Sequence, residues 1–247
     1  MNDVIDISPP TQESGRLWAK ALELAQAFGA HEQWALVGGL MVQLHAFEHG
    51  SGSRLTTDID FLGDSRRRPP MTERIVEVLV ERGGEMAMPP ASDESLGYRF
   101  DVDGQVIEVL GSEGVRNDPK TLGRYTTFQV PGGTQALTRA EIVRVSLSGG
   151  EAIEIRRPSL LGAILIKSRV VAKRRDKFES DRQDVIRLLS FVEDPRALAE
   201  SEDLRKSEKG WLRDVGAPLA FDDAALTDAF ARNEVLRAEQ AYELLAA

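Results

Sequence analysis

A double glycine that interrupts an apolar run constrains the fold of this chain more than any other feature. Trp34 to Val37 is a short apolar run that ends at Gly38 and Gly39, and Leu40 to Phe47 then continues with helical spacing. This order predicts a strand, a glycine turn and a helix. Because glycine lacks a Cβ and the first N–H groups of a helix are unpaired, such a turn can approach a phosphate closely. On its own, a glycine pair is more often an ordinary turn.

Two aspartates follow in a second predicted strand. The residues from Thr56 to Leu62 alternate as strands do, so Asp58 and Asp60 are expected on the same face. A third acid, Glu108, lies in a later predicted strand, and three carboxylates on neighbouring strands provide oxygen ligands for two Mg²⁺ ions. Such ions can activate an attacking hydroxyl and stabilise a leaving pyrophosphate. The aspartate pair alone often marks only a strand end, but its combination with the glycines and Glu108 indicates phosphoryl transfer.

The rest of the pattern divides the chain into two parts. Helices and strands alternate up to about residue 156, and helical periodicity follows from Pro158. We therefore predict an α+β fold with a mixed sheet flanked by helices, over residues 1–156, followed by a C-terminal helical domain over 157–247. Further predicted helices are 11–28, 71–82, 158–171, 181–191 and 222–245; further predicted strands are 97–102, 105–110, 143–147 and 152–155, with a weaker pattern over 123–130 and a loop over 86–94.

Composition excludes several other classes of protein. The chain has no cysteine, which excludes thiol nucleophiles, zinc ribbons and iron–sulfur clusters. No apolar run reaches the roughly 18–20 residues that span a bilayer, and the first ten residues are unlike a signal peptide. We therefore expect a cytoplasmic protein without a membrane partner.

The net charge of −9 argues against nonspecific nucleic-acid binding over the whole surface, so a polyanionic partner would need a local basic patch. Such a patch spans 167–177, which includes Lys167 and Arg175. It is either a solvated helix face paired with Glu179 and Asp181 or a phosphate-binding surface. Lys167 favours the second interpretation, because a charge within an apolar stretch needs a partner such as a triphosphate or an RNA backbone. The loop of Arg66 to Arg68 is equally consistent with phosphate contacts and with simple exposure.

The histidines and tryptophans indicate less about function. His45 and His49 have the i, i+4 spacing of a helical metal pair but no clear third ligand, so we do not predict a metal there. The three tryptophans, Trp18, Trp34 and Trp211, are expected to be core or interface anchors rather than base-stacking platforms.

The glycine pair and the segment from Arg54 to Asp60 resemble the glycine pair and Asp-x-Asp signature of the DNA polymerase β-type nucleotidyltransferase superfamily. The chain is more closely similar to the AbiEii/MenT branch, the toxin components of bacterial toxin–antitoxin and abortive-infection systems. The helical part adds to this likeness through Lys167, the basic run 173–175 and the Asp-x-x-Asp segment 181–184. The resemblance covers about residues 34–190.

The resemblance implies a role for each matching residue. The chain differs from the family pattern in two respects, because Glu108 replaces the commoner aspartate and the distance from Gly39 to Asp58 is longer than in compact members. Implied metal ligands are Asp58 and Asp60, with Glu108 as third ligand and candidate base; implied nucleotide-binding residues are Gly38, Gly39, Thr56 and Lys167; implied supporting residues are Arg54, Arg175, Asp181 and Asp184.

The predicted activity is Mg²⁺-dependent transfer of a nucleoside monophosphate from an NTP to an acceptor hydroxyl, with release of pyrophosphate. The resemblance implies the 3′ end of tRNA as acceptor, growth arrest as the outcome and an antitoxin protein as partner. Two alternatives stay open: the same chemistry on a small molecule such as an aminoglycoside, or on a protein hydroxyl; and a catalytically degenerate fold that acts as a nucleotide-binding module.

Overall fold

The computed structural model describes residues 4–171, 178–223 and 226–247. The chain forms two compact units, Met1–Pro158 and Ser159–Ala247. This division lies two residues after the domain boundary expected from the sequence. No helix within the described ranges is long and apolar enough to cross a membrane.

The first unit alternates strands and helices, and the second is helical. In chain order the first contains β1 (Ile5–Ile7), α1 (Gln12–Phe28), β2 (Trp34–Val37), α2 (Gly38–Glu48), β3 (Asp58–Gly63), α3 (Met71–Glu81), β4 (Glu85–Met86), β5 (Arg99–Val102), β6 (Gln105–Ser112), β7 (Gln129–Val130), α4 (Gly133–Thr138), β8 (Ala140–Leu147) and β9 (Ile153–Pro158). The second contains α5 (Leu160–Val171), α6 (Phe178–Ser190), α7 (Pro195–Ser201), α8 (Lys206–Leu219), α9 (Leu226–Ala229) and α10 (Arg232–Ala246). The predicted α+β class with a C-terminal helical region is confirmed.

Local sequence sets the bounds of the helices. At the start of α1, the Thr11 hydroxyl accepts the backbone N–H of Ser14 at 3.1 Å, and the helix ends before Gly29, whose φ is +80°. The face of α1 that carries Leu17 and Trp18 is buried, as the three- and four-residue spacing predicts.

Two sheets organise the first unit. The central sheet has the order β2-β3-β6-β5-β4, with β7 paired to β6, and the second has the order β1-β8-β9. β3 and β6 run parallel, whereas β2 and β5 run antiparallel to their neighbours. The register places Asp60 opposite Glu108 on one side and opposite Val37 on the other. The central sheet therefore brings the predicted acids and the glycine turn together.

Aromatic side chains fill the core beneath these strands. Phe28 packs edge-on against Trp34 and Phe61, with ring centroids 5.4 and 4.8 Å away. Trp18 and Trp34 are fully buried, so their predicted role as core anchors is confirmed.

The helix predicted to start at Pro158 begins later. Pro158 instead ends β9, where it pairs with Ala140 in an edge strand that tolerates a missing N–H. Ser159 then caps α5, because its hydroxyl accepts the N–H of Gly162 at 3.2 Å.

Other differences from the predicted elements are local. The helix predicted over 222–245 is divided into α9 and α10, because Ala231 is extended and donates its N–H to Glu234 Oε2 at 2.8 Å. The loop predicted over 86–94 starts one residue early, since Met86 belongs to β4. The sequence pattern does not predict β1, β4, α4, α7 or α8.

Candidate functional site

The acids predicted to act together meet on the central sheet. Asp58 and Asp60 lie on β3, and the parallel register sets Glu108 of β6 directly beside Asp60. One carboxylate oxygen from each of the three side chains lies within 4.8 Å of the others. Glu108 is only 9% exposed, so it faces the other acids from a buried position. We call Asp58, Asp60 and Glu108 the acidic triad.

The two glycines let the start of α2 lie against the triad. Gly38 has a φ of +66°, and a Cβ at this position would be 1.7 Å from Asp60 Oδ2. A Cβ on Gly39 would be 2.7 Å from the Cβ and Oγ1 atoms of Thr56. Any side chain at either position would displace these neighbours. α2 also begins without a side-chain N-cap, so its first N–H groups are available to an anion.

Thr56 holds Asp58. Its hydroxyl donates a hydrogen bond of 2.6 Å to Asp58 Oδ1, a short bond of the kind that a charged acceptor makes. The hydroxyl predicted to bind the nucleotide is thus directed at the neighbouring carboxylate.

A buried amide ties the loop before β3 to α2. Gln43 Oε1 accepts the indole N–H of Trp18 at 2.9 Å, and its Nε2 donates to the backbone carbonyl of Arg54, also at 2.9 Å. Arg54, predicted as a supporting residue, is thus held here through its backbone. Sequence reasoning missed Gln43, although a glutamine among the apolar residues of α2 is itself a signal of a buried hydrogen bond.

Arg99 is the second residue that sequence reasoning missed. Its Nε and Nη2 atoms donate to Glu108 Oε1 at 3.1 and 2.5 Å. These bonds raise the pKa of Arg99, and the charge of Asp58 adds to the effect. The signal was present in the sequence, because the turn at Asp103 and Gly104 pairs Arg99 with Glu108 by counting outward along the hairpin.

The donor set of the triad fits a hard divalent cation. Three carboxylates supply only oxygen, the ligand type that Mg²⁺ and Mn²⁺ take in proteins. Asp58 accepts a hydrogen bond from Thr56, and Glu108 accepts two from Arg99. An outer contact such as that of Thr56 orients a metal ligand.

The remaining predicted site residues lie in the helical unit. Lys167 is buried, and its Nζ atom lies 2.7 Å from Asp184 Oδ2 and 3.5 Å from Asp181 Oδ1. The pairing with Asp181 that the solvated-face interpretation predicts is therefore present, but in the interior rather than on a solvated face. Contact of Lys167 with a triphosphate stays a prediction. Arg175 and its basic neighbours at 173, 174 and 177 lie outside the described residues.

Three other side chains singled out by the sequence, those of Arg66, His45 and His49, have local partners. Arg66 pairs with Asp64 at 3.0 Å. His45 Nε2 lies 3.2 Å from the carbonyl of Pro158, and His49 Nδ1 lies 2.8 Å from the carbonyl of His45. Burial lowers the pKa of His45 well below its usual value.

Comparisons with known proteins add two distant likenesses. No protein-family model matches the chain, and a search of curated proteins found no significant match. Among solved structures, the chain is similar to an antigenic nucleotidyltransferase-like protein from Paracoccidioides brasiliensis, with 15% identity, coverage of 89% of this chain and 92% of that one, and a TM-score of 0.46. It is also similar to ANT(2″)-Ia in complex with adenylyl-2″-tobramycin, with 17% identity, coverage of 80% and 96%, and a TM-score of 0.39. Both TM-scores lie below 0.5, so neither likeness assigns an activity to this chain.

Proposed function

We propose that this chain is a metal-dependent nucleotidyltransferase, which moves a nucleoside monophosphate from an NTP to an acceptor hydroxyl and releases pyrophosphate. The acidic triad carries the proposal, because its three carboxylates lie within 4.8 Å beside the glycine-initiated start of α2. Asp58, Asp60 and Glu108 would hold Mg²⁺, which when bound neutralises phosphate charge and activates the attacking hydroxyl.

The chain's own groups would position the nucleotide. Gly38 and Gly39 allow the backbone of α2 to approach a phosphate, and the positive end of the helix dipole favours that anion. Thr56 holds Asp58 in place through its hydroxyl. A carboxylate preorganised in this way lowers the cost of assembling the site during the reaction.

A finer proposal concerns the acceptor. The likeness of the glycine pair, the Asp-x-Asp segment and the Lys167 to Asp184 region to the AbiEii/MenT branch supports the 3′ end of tRNA as acceptor and a toxin role opposed by an antitoxin. With a net charge of −9, tRNA binding would require a local basic surface. Lys167 is paired with buried carboxylates, so contacts to RNA would fall to the other cations between 167 and 177.

The test is incubation of the full chain with Mg²⁺, total tRNA and each labelled NTP in turn, with products resolved on a denaturing gel. We expect label on tRNA, and Asp60→Asn should reduce it by more than the roughly 100-fold that loss of an outer-shell contact can cost. Glu77→Gln, an exposed acid of α3, is the matched control and should retain the activity.

Each other outcome has a defined meaning. A folded Asp60→Asn protein with full activity would refute the metal assignment. Label that appears on an aminoglycoside or on a protein, and not on tRNA, would retain the chemistry and replace the acceptor. NTP binding that does not depend on Mg²⁺ and leads to no transfer would favour a degenerate nucleotide-binding module.

A further inference from the structure

Glu108 belongs to the acidic triad and also accepts hydrogen bonds from Arg99. Both hydrogen bonds from the guanidinium go to the same oxygen of Glu108, Oε1. The Arg99 side chain is 48% exposed and that of Glu108 is 12% exposed, so a cation on the solvent side approaches a largely buried acid. The charge of Asp58 also acts on Arg99, which places the guanidinium within the field of the triad.

A divalent cation at the triad would face two costs from this arrangement. The guanidinium and the metal ion carry like charges at short range, and their repulsion is only partly screened because Glu108 lies in the protein interior. The two hydrogen bonds also occupy acceptor positions on Oε1 that a metal ion would otherwise share.

We propose that Arg99 is a positioning residue that competes with the divalent cation for Glu108, so that the triad binds metal tightly only when the guanidinium has left Oε1. This inference rests on the proposed metal site. The Arg99 side chain is 48% exposed, so its guanidinium can move into solvent. The divalent cation would then replace it as the counter-charge of the buried Glu108 carboxylate.

An orienting role for Arg99 would change the metal affinity in the opposite direction. If Arg99 only orients Glu108 as an outer-shell partner, its removal should weaken metal binding, as such changes do in other metal sites. Competition instead requires that its removal strengthen binding. The direction of the change in affinity therefore separates the two roles.

The experiment is a titration of Mn²⁺ against the full chain, with free Mn²⁺ measured by electron paramagnetic resonance and no nucleotide present. We expect Arg99→Met to bind Mn²⁺ roughly fivefold more tightly than the wild type, the size expected for one partly exposed charge. Arg99→Lys keeps the charge but not the paired hydrogen bonds, so it should fall between the two. The difference between Arg99→Met and the wild type should shrink as ionic strength rises.

Controls separate failure of this inference from failure of the proposed function. Asp60→Asn should abolish the binding, and Arg74→Met, which removes an exposed arginine of α3, should leave it unchanged. Circular dichroism of each variant confirms folding. If the wild type binds Mn²⁺ and Arg99→Met binds it equally well or more weakly, the inference about Arg99 is wrong and the proposed metal site stands. Absence of Asp60-dependent binding in both proteins removes the metal site, and the inference with it.

Discussion

Replacement of Gly38 by alanine tests the link between the glycine turn and the triad. A left-handed backbone costs an L-residue about 1–2 kcal/mol, and Gly38 has a φ of +66°. The new Cβ would also lie 1.7 Å from Asp60 Oδ2, so Asp60 must leave its rotamer at a further cost of about 0.5–1.5 kcal/mol. Alanine restricts the unfolded chain and returns about 0.4–1 kcal/mol. We therefore expect Gly38→Ala to lower the free energy of unfolding by about 2 kcal/mol.

Gly50 offers a matched control. Its φ is +60° and no atom lies within 4 Å of the position that a Cβ would take, so Gly50→Ala measures the backbone cost without the clash. In urea unfolding, Gly38→Ala should be about 1 kcal/mol less stable than Gly50→Ala. Asp60→Ala should remove most of that difference in the double variant, because only the Cβ of residue 60, 2.9 Å away, would still crowd the new Cβ. Equal costs at the two glycines, or a cost at Gly38 that is independent of Asp60, would refute the assigned contact.

Two further predictions concern buried charges. Burial, reinforced by the charge of Arg157, keeps the pKa of His45 well below 6.5, so below pH 6.5 the unfolded chain takes up a proton that the folded chain does not. Stability should therefore fall by about 1.4 kcal/mol per pH unit on this account as pH drops from about 6.5 towards the folded pKa. Urea unfolding at pH 7, 6 and 5 should show that His45→Gln loses this slope while His31→Gln, at an exposed position, keeps it; equal slopes in all three proteins contradict the assignment. Separately, Lys167→Met should destabilise the chain by about 3–5 kcal/mol in urea unfolding, because it removes a cation from two buried carboxylates. Lys206→Met at an exposed position is its control, and unchanged stability of Lys167→Met would argue against the buried pair.

Local pattern predicts those parts of the fold that local interactions determine. The alternation around Asp58 and Asp60 places both on one face because strand side chains alternate whatever the partner strand is. The short element β1 has no comparable signal, since its three residues are held by Val145 and its neighbours far along the chain. Pairings over this separation depend on the whole fold and leave no trace in a local pattern.

The group that pairs with Lys167 shows a different limit of prediction from sequence. Sequence identifies a cation in an apolar stretch, and burial of a charge demands an anion. A phosphate and a carboxylate both satisfy that demand, so the pattern cannot choose between them. The ion pair with Asp184 follows from the packing of α6 against α5, which brings Asp184 Oδ2 to 2.7 Å from Lys167 Nζ.

The triad itself is a costly arrangement, and this supports its interpretation as a site. Three carboxylates within 4.8 Å of one another repel, and the repulsion grows with burial. The chain offsets it at each acid by a different contact: a hydroxyl at Asp58, a guanidinium at Glu108 and the start of a helix beside Asp60. Since folding alone gains nothing from acids placed this way, and departures from local consistency concentrate at functional positions, the cluster supports the proposal of a cation site.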